Sequence, residues 1–153
     1  MVTRESATKA ELASEVWRRM FDFLMSTHEH RNRALERLGL TPGDSKALIH
    51  LEAGIGQSMG SLAAAWTCDA SNATWVVDRL EQRGLVERRG MPGDRRVKEV
   101  VLTPLGVEMK GALLDALYEP PPELHALPRA DLEMLLKGAR KLPALDASGH
   151  HGE

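Results

Sequence analysis

The stretch from Leu62 to Gly106, LAAAWTCDASNATWVVDRLEQRGLVERRGMPGDRRVKEVVLTPLG, restricts the fold more than any other part of the chain. A helix from about Met59 to Trp66 leads through the turn Thr67-Cys68 to Asp69, a good N-cap for a second helix over about Ala70–Arg83 that Gly84 ends. On that second helix Ala73, Val76, Val77 and Leu80 form an apolar stripe. Ser71, Asn72, Thr74, Trp75, Asp78 and Arg79 face outward or lie at the stripe's edge. A strand over Leu85–Arg89, turn chemistry at Gly90–Asp94 and a returning strand over Val97–Leu102 then make a basic hairpin with Arg95 and Arg96 at its tip. A polar-faced helix has the right thickness for a DNA major groove, and a cationic loop beside it has a route into the minor groove. The expectation is a sequence-specific DNA-binding protein.

The rest of the chain is helical by the same reading. Leu12, Val16, Met20 and Phe23/Leu24 recur at three- and four-residue spacing, which predicts one helix from about Ala7 to Leu38 with Gly39 as its stop. Thr41 is the N-cap of a further helix, with Pro42 at its first position, Asp44 in its first turn and an end near Glu52, before the Gly54–Gly56 loop. Thr103-Pro104 starts a helix to about Tyr118 carrying Val107, Leu113, Leu114 and Leu117. The Pro120–Pro122 run interrupts it, and a last helix is expected from Arg129 to Leu142. The fold class is mainly α with a small β-wing. The domain plan is an N-terminal helical region over 1–40, a winged helix-turn-helix over 41–106, C-terminal helices over 107–143 and a disordered tail over 144–153.

Net charge is −2, an odd value for a DNA binder until its distribution is considered. Seven basic against three acidic residues between Arg79 and Lys98 give that window +4, while the remainder holds 13 basic and 19 acidic residues. Phosphate contacts need a local basic face rather than a basic protein. No stretch suits a bilayer span, the N-terminal residues lack a signal-peptide core, and Cys68 is the only cysteine, so the chain reads as cytoplasmic. There is no Gly-rich phosphate loop, metal-ligand spacing or nucleophile elbow, so neither an enzyme nor a cofactor is expected.

At the hairpin the chain resembles the MarR-type winged helix-turn-helix regulators. Their wing signature, Asp-x-Arg, five residues, Leu-Thr-x-x-Gly, is met by Asp94, Arg96, Leu102, Thr103 and Gly106. Val77-Asp78-Arg79-Leu80-Glu81 with Arg83-Gly84-Leu85-Val86 resembles the end of the recognition helix and the first wing strand, and Ser61-Leu62-Ala63 the start of the preceding helix. Pro-Pro-Glu-Leu-x-x-Leu-Pro at 121–128 is similar to what actinobacterial members carry before their last helix. The resemblance implies a homodimer whose first, fifth and last helices interleave as dimerisation helices, two winged domains on a palindromic operator, and a repressor. It also implies release from DNA by a small, often aromatic, ligand.

The residues expected at DNA are Ser71, Asn72, Thr74, Trp75, Arg79, Asp94, Arg95 and Arg96. Arg96 suits a narrow minor groove, and the resemblance implies that Asp94 pairs with it and holds it extended. Arg95 contacts a phosphate or simply faces water. Asn72 matches adenine bidentately, and Ser71 and Thr74 suit phosphates. Trp75 stands where many relatives carry a long polar side chain, and either packs a thymine methyl or tucks against its own domain. Arg79 lies at the groove edge, and its rival role is a salt bridge within its domain.

Trp17, Met20, Phe21 and His50 are the candidates for an effector pocket, with dimer or domain core as the competing role for the first three. His28, His30 and His50 otherwise read as polar surface, His150 and His151 as tail, and Cys68 as a buried, inert thiol. The rival functional reading is a winged helix that binds protein and no specific DNA.

Overall fold

In the computed structural model, residues 7–144 are described. The expected disorder of the tail and the reading of His150 and His151 fall, from residue 145 onward, outside them. The order is α1 (Lys9–Ser26), α2 (His28–Arg37), α3 (Pro42–His50), β1 (Gln57–Ser58), α4 (Met59–Ala65), α5 (Ala70–Gln82), β2 (Val86–Met91), β3 (Asp94–Leu102), α6 (Pro104–Tyr118), α7 (Pro122–His125) and α8 (Arg129–Ala139). The strands form an antiparallel sheet in the order β1-β3-β2. This is a winged helix-turn-helix with helices at both ends.

Local chemistry sets the boundaries. Thr8 and Glu11 form a capping box at α1, as Thr41 and Asp44 do at α3. Ser58, Asp69 and Thr103 cap α4, α5 and α6 by accepting the amide N–H of Ser61, Asn72 and Gly106. At the end of α5, Gly84 adopts φ +70°, its N–H bonds to the Glu81 carbonyl, and the Leu85 N–H bonds to that of Leu80. This double closure turns the chain straight into β2.

The single helix expected over Ala7–Leu38 is instead two. Thr27 is buried, and its Oγ1 donates to the Phe23 carbonyl at 2.9 Å while accepting from Arg31 Nη1 at 3.0 Å. A hydroxyl bonded back to the preceding turn competes with the backbone ladder and bends the helix there. Two smaller departures are elements too short to show a period, the two-residue β1 and the one-turn α7 that starts at the last proline of the run, and α8 ends at Ala139 rather than Leu142.

The core joins α3, α4, α5, the sheet and α6 through Leu48, Leu51, Leu62, Val77, Leu80, Leu85, Val86, Val100 and Leu113. The stripe expected on α5 is buried in full. Neither α1 nor α8 has a buried residue. Trp17, Val16 and Leu12 on α1, and Met134 and Leu135 on α8, are each more than half exposed.

Gly106 sits where α6 starts against β2, and a Cβ there would collide with the Leu85 carbonyl oxygen. Backbone on one side and helix on the other leave no room to yield. Gly106→Ala is expected to lower stability by about 3 kcal/mol, the upper end for overpacking, measured by urea denaturation at fixed protein concentration.

Candidate nucleic-acid interface

Helix α5 has its two faces sorted. Ala73, Val76, Val77 and Leu80 are buried, and Ser71, Asn72, Thr74 and Trp75 are exposed. Trp75, at 58% exposure, does not tuck against its own domain. Its ring lies 4.4 Å from the guanidinium carbon of Arg79, one turn further along. That guanidinium is engaged below as well: Nε donates to Asp44 Oδ1 at 3.0 Å, and Nη2 donates to the same oxygen and to Thr41 Oγ1. Of the two roles open to Arg79, the salt bridge within the domain is therefore made.

Asp44 is only 2% exposed, so its charge must be met inside the protein. Its Oδ2 accepts the Thr41 backbone N–H at 2.9 Å. One carboxylate thus starts α3 and pins α5 to it.

The other basic residues divide in the same way. Arg83 donates to the carbonyls of Gly39 at 2.6 Å and Leu38 at 3.2 Å, where α2 ends. Arg88 bridges Asp78 at 2.6 Å and Glu81 at 2.8 Å. Burial alone would lower its pKa, but the hydrogen bond to Asp78 and the charges of Glu81 and Asp78 outweigh this and hold it above the ordinary value. Arg79, Arg83 and Arg88 therefore lock the helix-turn-helix together. Within the basic window 79–98, the exposed positive charge falls to the wing.

The wing turn is tighter than expected, with only Pro92-Gly93 between Met91 and its partner Asp94. Gly90 pairs with Lys98 while Met91 pairs with Asp94, so Arg95, Arg96 and Val97 loop out of the ladder. The two arginines stand in a bulge just past the tip rather than at it. Bulges redirect side chains away from a sheet, and both arginines are exposed. Asp94 does not pair with the Arg96 guanidinium; its Oδ1 accepts the Arg96 backbone N–H at 2.9 Å and so shapes the bulge. With Arg89 and Lys98, Arg95 makes a cationic surface around Pro92 and Gly93.

A second site lies among the helices. Trp17, Met20 and Phe21 converge with Leu24, Leu117 and Pro121 on an apolar pocket of about 380 Å³, with His30, Arg31 and Glu119 at its polar positions. The Trp17 and Phe21 rings are 6.2 Å apart. His30, read earlier as polar surface, donates from Nε2 to the Glu119 carbonyl at 2.9 Å. His50 is not among the pocket's residues: it ends α3, where its carbonyl accepts from Gln57. Cys68 is half-buried against the core behind the turn into α5.

Lys110, on α6, donates to the carbonyls of Ile49 at 3.0 Å and Leu51 at 2.6 Å, fastening the long helix to the end of α3. Burial lowers its pKa, opposed by the charge of Glu52. Sequence reading gave Lys110 no role because its partners lie some sixty residues away.

The MarR family's sequence profile matches residues 40–98. The uncharacterized HTH-type transcriptional regulator YcgE of Bacillus subtilis (strain 168) is 32% identical over 111 residues, covering 72% of this chain and 69% of that protein. The transcriptional repressor MprA of Escherichia coli (strain K12) is 33% identical over 117 residues; the match spans 74% of this chain and 66% of MprA, just under two thirds of its length. Among solved structures, the multiple antibiotic-resistance repressor MarR of Listeria monocytogenes superposes with a TM-score of 0.73 at 20% identity, covering 88% of this chain and 94% of that one. A point mutant of S. aureus MepR bound to an oligodeoxyribonucleotide gives 0.62 at 23%, covering 80% and 93%.

The Asp44–Arg79 pair is unequal in burial, and this sets an order of stabilities. Arg79→Ala strands a buried carboxylate and is expected to cost about 3 kcal/mol. Asp44→Asn keeps one acceptor oxygen for the Thr41 cap and loses the one that holds Arg79; that guanidinium is partly exposed and is met by water instead, so the cost should be smaller, about 1 kcal/mol. Urea denaturation of the two variants checks the order; equal losses would show that the carboxylate does not depend on Arg79.

Proposed function

The chain belongs to the MarR family, and from that premise we propose that it is a sequence-specific transcriptional regulator, a repressor, that binds a palindromic operator as a homodimer. The observation that carries the reading is the pairing of an outward face of Ser71, Asn72, Thr74 and Trp75 on α5 with a wing bulge that projects Arg95 and Arg96. Among the described residues no acidic side chain pairs with either wing guanidinium. Side chains of this kind match what a major groove offers, and unpaired arginines match a narrow minor groove or a phosphate. In this reading Asn72 contacts adenine, Ser71 and Thr74 hold phosphates, and Arg96 enters the minor groove with Arg95 on the backbone. Asp94 acts by setting the bulge, and Arg79 by holding α5.

Dimerisation through the regions 1–40 and 107–143, around a winged unit over 41–106, is supported by the apolar faces left open on α1 and α8. Half-sites would then lie about one helical turn, roughly 34 Å, apart. The proline-bracketed stretch at 121–128 supports placement in an actinobacterial-like branch. The pocket at Trp17, Met20 and Phe21 supports a small aromatic effector. Such a ligand releases DNA only if it binds one arrangement of the helices more tightly than the other.

Duplex binding measured by fluorescence anisotropy should weaken steeply and linearly on a log–log plot against salt, because each phosphate contact releases counterions. Arg96→Ala should weaken binding at least about tenfold. A flat salt dependence with an unaffected Arg96→Ala variant would favour a protein-binding winged helix instead.

A further inference from the structure

A large aromatic side chain left 58% exposed on the outer face of α5 needs a reason, since that face is otherwise small and polar. Its setting is built rather than incidental. The indole of Trp75 is covered on one side by the Arg79 guanidinium at 4.4 Å. Arg79 is fixed by Nε on Asp44 at 3.0 Å and by Nη2 on Asp44 and Thr41. Asp44 is itself buried and held by the Thr41 backbone N–H. The exposed ring therefore rests on a chain of contacts reaching the first turn of α3.

Two consequences decide what this position can recognise. An arginine at a groove edge ordinarily pairs with guanine through its parallel donors. Here Arg79 could do so only by leaving Asp44, stranding a carboxylate that is 2% exposed. The indole supplies one N–H and otherwise only flat apolar surface. In the major groove, the apolar feature that distinguishes one base pair from the others is the 5-methyl group of thymine.

We propose that Trp75 reads a thymine 5-methyl group in each half-site, with Arg79 and Asp44 acting as positioning residues that hold the indole and take no part in base pairing themselves. The proposal rests on the DNA-binding reading above. Burying one methyl against a preformed flat surface should be worth about a fourfold change in affinity per half-site.

The test uses a duplex that the wild-type protein enriches from a random pool, with each thymine replaced in turn by deoxyuridine symmetrically in both half-sites. Wild type should lose about fourfold per half-site at one position and little at the others. Trp75→Ala should bind the thymine and deoxyuridine duplexes equally. Arg79→Lys keeps a charge opposite Asp44 but removes the flat guanidinium from the ring, and should bring the thymine-to-deoxyuridine ratio close to one. Asp44→Asn should act in the same direction, and if it does not fold, Arg79→Lys alone decides the positioning claim. A merely structural role would weaken both duplexes alike and leave the ratio unchanged, which would overturn the positioning claim. A wild-type protein that binds its duplex but ignores every deoxyuridine overturns the methyl reading while DNA recognition stands. Failure to enrich any duplex removes the DNA-binding reading and this proposal with it.

Discussion

A carboxylate removed from water must be met by charge or hydrogen-bond donors, and in this protein that requirement falls on Asp44. Its two oxygens accept from the Thr41 backbone N–H and from Arg79, so one side chain both starts α3 and fixes the angle at which α5 leaves the core. The hydrophobic cluster of Leu48, Val77 and Leu80 would hold these helices together without it. Apolar packing is non-directional, however, and tolerates sliding. The ion pair adds direction. It is the reason the polar face of α5 has a defined orientation to offer any partner.

Other cations serve the same scaffold at helix ends. Arg83 closes α2, Lys46 donates to the Trp66 carbonyl at 2.8 Å where α4 ends, and Lys110 closes α3 from α6. Each places positive charge at the negative end of a helix and satisfies carbonyls with no partner within that helix. The contacts of Lys110 also link the long helix to the helix-turn-helix. With Arg79, Arg83 and Arg88 committed internally, the exposed positive charge of the 79–98 window lies on the wing. The near-neutral overall charge and the local basic surface are thus compatible for a structural reason.

Features set by neighbouring residues were legible in the sequence. The N-caps Thr41, Asp69 and Thr103, the apolar stripe of α5 and its end at Gly84 depend on residues a few positions apart. The family resemblance and the polar set on α5 depend on the same local order. What escaped depends on distant partners. The bend at Thr27 is hidden because the apolar spacing continues across it. The ion pair that claims Arg79 spans 35 residues, and the convergence of Trp17, Met20 and Phe21 on Leu117 and Pro121 spans most of the chain. The wing bulge was invisible because register is a property of two strands, and counting seven basic residues could not separate those that brace the fold from those that project.

The central claim is that the face of α5 and the wing bulge together read DNA as a two-fold pair. Affinity selection of the purified protein against a random duplex pool tests it most directly. The expected result is enrichment of a palindrome with half-sites about one helical turn apart, and an AT-rich, narrow-groove flank where the wing falls. Recovery of no enriched sequence at low salt, or of single half-sites with no fixed spacing, would contradict it.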